Sequence, residues 1–134
     1  MAKSKATWVR YKPKEIEKLV IKEAKHGLKP SMIGMVLRDS YGIPDVESIA
    51  GKKITQILDD NSLKMQLPEE LFFLIKKSLA AREHLDKNKK DVSTKRSLSK
   101  TEARIRKLSI YYIKEKKLPA DWKYDPSKAK ILLE

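Results

Sequence analysis

Cysteine is absent from this 134-residue chain. Its absence excludes a disulfide framework, thiolate chemistry and a cysteine-built zinc site, and it suits a reducing compartment. Histidine is almost as scarce: His26 and His84 are the only two, and no His-x-x-x-His spacing exists to hold a metal. Glycine occurs only at positions 27, 34, 42 and 51, so there is no Gly-rich phosphate loop. The longest apolar run, Leu71-Phe72-Phe73-Leu74-Ile75, is far too short to span a bilayer. The opening residues, Met1-Ala2-Lys3-Ser4-Lys5-Ala6-Thr7, lack the apolar stretch of a secretory signal. The carboxylate pairs Asp59-Asp60 and Glu69-Glu70 fall at an expected helix end and helix start, where turn and dipole chemistry accounts for them. A serine nucleophile would have only His84 as its base. These absences point away from an enzyme, and no cofactor, metal or small-molecule substrate is implied. What remains reads as a soluble, intracellular, basic protein.

What is abundant is positive charge, and it is unevenly placed. The chain has 31 Lys and Arg against 18 Asp and Glu, a formal net charge of +13. Residues 76–117 hold 15 of the basic and 5 of the acidic residues, which is +10 in under a third of the length. Residues 1–75 carry 13 basic and 10 acidic residues, only +3. A focused positive field attracts a polyanion, most simply nucleic acid. The plain alternative is a solvated, lysine-rich helical hairpin. Hydrophobic residues at 40% and charged residues at 37% allow modest cores in one domain or two small ones. Part of such a chain can depend on a partner for full order.

Proline and glycine divide the chain into helices. Pro13 opens the first, Glu15 and Glu17 complement its dipole, and Ile16, Leu19, Val20 and Ala24 share one face before Gly27 stops it. Pro30 opens a second helix with Ile33, Val36 and Leu37 inward, ending near Gly42. Pro44 and Asp45 read as a turn, and a third helix is predicted from about Lys52, using Ile54, Ile57 and Leu58. Pro68 opens a fourth, with a stripe of Leu71, Phe72, Leu74, Ile75 and Leu79, ending near Leu85. The fifth is predicted from about Ser93 to Lys117. Leu98, Thr101, Ile105, Leu108 and Tyr112 form its seam against the fourth, and Arg96, Lys100, Arg104, Lys107 and Tyr111 form the opposite face. An extended tail follows, with a short helix expected from Pro126. The predicted architecture is all-α. It comprises an N-terminal arm (1–12), a three-helix unit of helix-turn-helix size (13–62), a long helical hairpin (63–117) and a C-terminal extension (118–134). Leu63 and Leu67 are expected to join the first unit to the fourth helix. Trp8, Trp122 and Tyr124 are expected to be packing anchors rather than base stackers.

Chemistry gathers on the connection between the last two helices. His84, Asp91 and Thr94 lie on or near it, with Lys89, Lys90, Lys95 and Arg96 alongside. Asp91 can only accept hydrogen bonds, which suits an exposed base amino group, while Thr94 and neutral His84 do both. The guanine amino group is the main donor in a minor groove, and an A-form minor groove is wide and shallow. A polar turn among cations can therefore combine base readout with phosphate contacts. The same residues can equally be a capped turn, with Asp91, Ser93 or Thr94 as the N-cap.

The run His84-Leu85 through Lys89-Lys90-Asp91 to Thr94-Lys95-Arg96-Ser97-Leu98 resembles the signature of the universal small-subunit ribosomal protein fifteen family. Arg104-Ile105-Arg106-Lys107-Leu108 and Tyr111-Tyr112 stand at the expected offsets. Met32-Ile33-Gly34, the run Leu37 to Pro44 and the tail Leu118 to Pro126 are similar to its archaeal and eukaryotic branch. The resemblance covers the chain from about Trp8. It implies an all-helical protein of the small ribosomal subunit, in the cytoplasm, with small-subunit rRNA and neighbouring ribosomal proteins as partners. It also implies contact with a three-way junction and a nearby minor groove in the central domain of that RNA. By the same resemblance, His84, Asp91 and Thr94 take the roles of a groove-reading His, Asp and Ser, and Tyr111 that of a junction-contacting Tyr. Thr94 for serine keeps the hydroxyl, Asn88 stands where a second histidine is common, and Ser97 stands where glycine is common. The arm is shorter than the long basic arm expected of this branch, so contacts made by such an arm are expected to be absent.

Two functions follow. The first is a structural RNA binder with His84, Asp91 and Thr94 reading a groove. Lys89, Lys90, Lys95, Arg96, Lys100, Arg104 and Lys107 would meet phosphates, and Tyr111 would lie at a junction. The second is a DNA-binding regulator using residues 13–61 as a helix-turn-helix, which the small charge of that unit disfavours. An amphipathic membrane binder is disfavoured because the apolar stripe of the fifth helix already has a partner in the fourth.

Overall fold

The computed structural model describes residues 8–63 and 65–133, so the first seven residues of the expected arm lie outside the described residues. Among the described residues the chain is helical with no strand, as expected. No helix among them is long and apolar enough to cross a membrane. The chain divides into two compact units, Met1–Met65 and Gln66–Glu134.

Among the described residues the first unit contains four helices: α1 (Pro13–Lys25), α2 (Pro30–Tyr41), α3 (Val46–Ala50) and α4 (Ile54–Asp60). Pro13 and Pro30 each sit in the first turn, where a missing N–H costs nothing. Glu15 Oε2 accepts the Lys12 N–H at 2.9 Å, and Gln56 Oε1 accepts that of Lys53 at 3.0 Å, so each N3 side chain covers an orphan donor. The predicted three-helix unit is thus corrected to four. The stretch read as a turn after Pro44 contains α3, because Asp45 Oδ1 caps it through the Glu47 N–H at 3.1 Å and Gly51 ends it at φ +73°. Such a short helix is set by its two caps rather than by apolar spacing, which is why periodicity passes over it. Ile16, Val20, Ile33, Leu37, Ile43, Val46, Ile57 and Leu58 form the core. Trp8, expected to be a packing anchor, is 70% exposed.

The second unit is a hairpin of α5 (Glu69–Lys87) and α6 (Val92–Lys114), followed by a tail that ends in a 3-10 turn at Ile131–Leu133. The helix expected from Pro126 is realised only as turns and that short 3-10 segment. Leu71 and Ile75 of α5 and Ile105 of α6 are fully buried, and burying each such side chain contributes about 1.5–3 kcal/mol. Two helices alone cannot enclose this stripe. The tail adds the third layer, with Leu118 and Ala129 buried and Trp122, Tyr124, Leu132 and Leu133 packed on the cluster. Leu63 packs on the first core and Leu67 belongs to the second. Polar pairs tie the layers together: Arg82 bonds Glu102 between α5 and α6, and Lys130 Nζ lies 3.8 Å from Glu83 Oε1. The seam expected on α6 is observed, with Thr101, Ile105 and Tyr112 inward. Ser109 joins them, its hydroxyl donating to the Arg106 carbonyl at 2.8 Å.

Candidate nucleic-acid interface

α5 ends at Lys87, four residues connect it to α6, and Asp91 is the N-cap of α6. Asp91 Oδ1 accepts the Thr94 N–H at 3.0 Å, which satisfies one orphan donor of the helix start. Asp91 Oδ2 accepts the Thr94 hydroxyl at 2.6 Å. His84 Nε2, from the last turn of α5, lies 3.0 Å from the same Oδ2. The three residues singled out from the sequence therefore meet at one carboxylate. Asp91 is the N-cap of the capped-turn reading and also the point where His84 and Thr94 meet.

The charge state of this cluster is set by those bonds. The Thr94 hydroxyl, then the Thr94 N–H, then His84 hold the Asp91 carboxyl at about 2, below its usual 3.8. An ionised Asp91 only accepts, so His84 Nε2 donates to it. In the neutral ring that leaves Nδ1 as an acceptor, with Asn88 Nδ2 3.5 Å away. A carboxylate oxygen has about two acceptor sites. Oδ2 already takes two donors and Oδ1 takes one, so Oδ1 keeps an acceptor site. The Thr94 oxygen, having donated its proton, also presents lone pairs. The cluster therefore keeps acceptor capacity at Asp91 Oδ1 and at the Thr94 oxygen.

The remaining sequence-predicted residues spread along α6. Lys89 and Lys90 are exposed in the connection, and with His84, Lys87, Asn88 and Asp91 they line an open cavity of about 480 Å³. Arg96, Lys100, Arg104, Lys107 and Tyr111 are exposed on one stripe opposite the buried seam. Lys95 is also exposed but lies about 100° round the helix from Arg96, off that stripe. Tyr111 is 51% exposed, with its ring centroid 5.3 Å from that of Tyr112. Tyr112 is anchored inward, its hydroxyl donating to Glu70 Oε2 at 3.3 Å. The twenty positions from Asp91 to Tyr111 put about 30 Å of straight helix between the acceptor cluster and the exposed ring.

Sequence reasoning missed a second cavity. Val92, Ser93, Arg96, Ser97 and Lys100 line an open recess of about 490 Å³ on the first turns of α6. The signal was present in the four-residue spacing of Ser93 with Ser97 and of Arg96 with Lys100.

Known proteins match both units. The Ribosomal S13/S15 N-terminal domain family matches residues 1–43, and the Ribosomal protein S15 family matches residues 54–132. The small ribosomal subunit protein uS15 of Hyperthermus butylicus is 48% identical over 126 residues, covering 94% of this chain and 78% of that protein. The protein of the same name from Sulfolobus acidocaldarius is 49% identical over 126 residues, 94% of this chain and 82% of its own length. That from Metallosphaera sedula is 48% identical over 126 residues, with coverage of 94% and 83%. These matches do not favour the helix-turn-helix regulator.

Proposed function

Because the chain belongs to the ribosomal protein S15 family, structural and non-enzymatic proteins of the small ribosomal subunit, we propose that it holds a three-way junction and an adjacent minor groove of small-subunit rRNA. The observation that carries this is the acceptor cluster of His84, Asp91 and Thr94 at one end of a basic stripe. In an A-form minor groove the guanine amino group is a donor on a wide, accessible surface. Asp91 Oδ1 and the Thr94 oxygen take that donor, and His84 fixes the carboxylate that accepts it. Lys89 and Lys90 on one side and Lys95, Arg96, Lys100, Arg104 and Lys107 on the other meet phosphates, which supply affinity without reading sequence. Tyr111, about 30 Å along the same helix, reaches the junction. α6 thus bridges two features of one RNA, which supports assembly by fixing their relative position. The setting is the ribosome of the cytoplasm, with neighbouring ribosomal proteins as further partners.

Gel shift of a small-subunit three-way-junction RNA at near-physiological salt tests this, comparing wild type, Asp91→Ala and a scrambled junction. Tight binding lost with Asp91→Ala and with the scrambled RNA is expected. Equal binding of both RNAs would leave only nonspecific charge and overturn the assignment of His84, Asp91 and Thr94.

A further inference from the structure

Apart from Thr94, whose hydroxyl donates to Asp91, the serine and threonine hydroxyls of the hairpin fall into two kinds. Ser78, Thr101 and Ser109 are buried and donate back to carbonyls one turn earlier, those of Ile75, Ser97 and Arg106, at 2.8, 2.9 and 2.8 Å. This is the usual use of a hydroxyl inside a helix. Ser93 and Ser97 differ, as does Ser99: all three are exposed, among the described residues none of their hydroxyls has a hydrogen-bond partner, and of the three it is Ser93 and Ser97 that share a recess. They line the recess of about 490 Å³ with Arg96, Lys100 and the exposed Val92. Ser93 and Ser97 stand four residues, about 6 Å, apart along the helix, and so do Arg96 and Lys100. Hydroxyls and cations thus run as two parallel rows on one face.

Resting on the RNA-binding function proposed above, we infer that Ser93 and Ser97 form a ribose-reading site. Their hydroxyls take 2′-hydroxyls of one RNA strand whose phosphates lie on Arg96 and Lys100. A serine hydroxyl and a 2′-hydroxyl each both donate and accept, so either can serve the other. A lysine at these positions would hold DNA and RNA phosphates alike. A deoxyribose offers the serines nothing. Val92, apolar and on the same recess, covers the carbon face of a sugar. The recess begins one residue beyond Asp91, so the strand that presents its groove edge to Asp91 runs directly onto it.

The test is a cycle between protein and RNA. Dissociation constants are measured for wild type and the Ser93→Ala/Ser97→Ala double variant. The ligands are the all-RNA junction, versions with one strand at a time 2′-deoxy, and a plain RNA duplex with its deoxy counterparts. Alanine is the better helix former, so the variant keeps α6 intact. Wild type is expected to lose about tenfold on one deoxy strand, the worth of two modest hydrogen bonds. The double variant loses a similar factor on all-RNA and nothing further on that strand. Its salt dependence stays at the wild-type slope, and Ser93→Thr/Ser97→Thr, which keeps the hydroxyls, restores the preference. Losses that simply multiply, or unchanged all-RNA binding by the alanine variant, would overturn the inference. If wild type fails to prefer the junction over scrambled RNA, the junction assignment fails instead, and the duplex pair still decides the ribose site.

Discussion

The Tyr124 hydroxyl lies 2.9 Å from Ser78 Oγ, joining residues 46 positions apart. Ser78 is fully buried, and its own proton is committed to the Ile75 carbonyl at 2.8 Å. A hydroxyl has one proton, so Tyr124 is the donor of the pair. The bond pins the tail against the middle of α5. Tyr124→Phe keeps the ring and removes the donor, leaving a buried acceptor with a lone pair unmet. We expect a loss of about 1 kcal/mol. For a domain of this size that is a fall in Tm of about 4–8 °C, read by thermal denaturation. Melting at the wild-type temperature would show that the bond adds nothing net.

Asp91 gives a pH dependence with a definite sign. Its carboxyl titrates at about 2 in the folded protein and near 3.8 when released. A depressed folded value means that the stabilisation is complete above the released value and is lost as pH falls through the folded one. The stability gap between wild type and Asp91→Asn should therefore shrink as pH is lowered from about 4 to about 2. Urea denaturation across that range measures it. A gap independent of pH would mean the carboxylate is not what holds the cap.

The basic stripe makes a prediction about salt. If Arg96, Lys100, Arg104 and Lys107 each touch one phosphate, each alanine variant lowers the slope of log affinity against log salt by roughly one. The quadruple variant lowers it by roughly four on the same rule. An unchanged slope in the quadruple variant would remove the stripe from the interface.

Ile105 and Ile110 lie five residues apart on α6 and should respond to truncation by very different amounts. Ile105 is fully buried and Ile110 is 55% exposed. Ile105→Ala should cost about 2–5 kcal/mol through lost transfer energy and a cavity. Ile110→Ala should stay within about 0.5 kcal/mol. Chemical denaturation of the two variants checks the orientation of α6.

Much of this was legible in the residues because it depends on local rules. Pro13, Pro30 and Pro68 mark helix starts, and the spacing of Thr101, Ile105 and Tyr112 marks the seam of α6. Among the candidate site residues, the meeting of His84 with Asp91 follows from the hairpin, which brings the end of α5 back to the start of α6. What escaped depends on other physics. α3 has five residues and is held by Asp45 and Gly51, too short for any periodicity to register. Trp8 looked like an anchor because large aromatics usually are, yet the fold leaves it on the surface. Ser93 and Ser97 carry no charge and match no motif. Only the folded surface shows their hydroxyls free beside two cations.

α6 runs unbroken from Val92 to Lys114, and its inner face is locked by packing while its outer face carries the stripe. Such a rod acts as a gauge. Its length fixes the span between whatever its two ends grip, and its winding fixes the angle between them. One residue inserted after Lys100 would advance the far end by about 1.5 Å and rotate it by about 100°. Arg104, Lys107 and Tyr111 would then swing out of line with Arg96, although every side chain were still present. The information in this helix is therefore held as phase as much as composition, and a change that alters no contact residue can still put the two ends out of step.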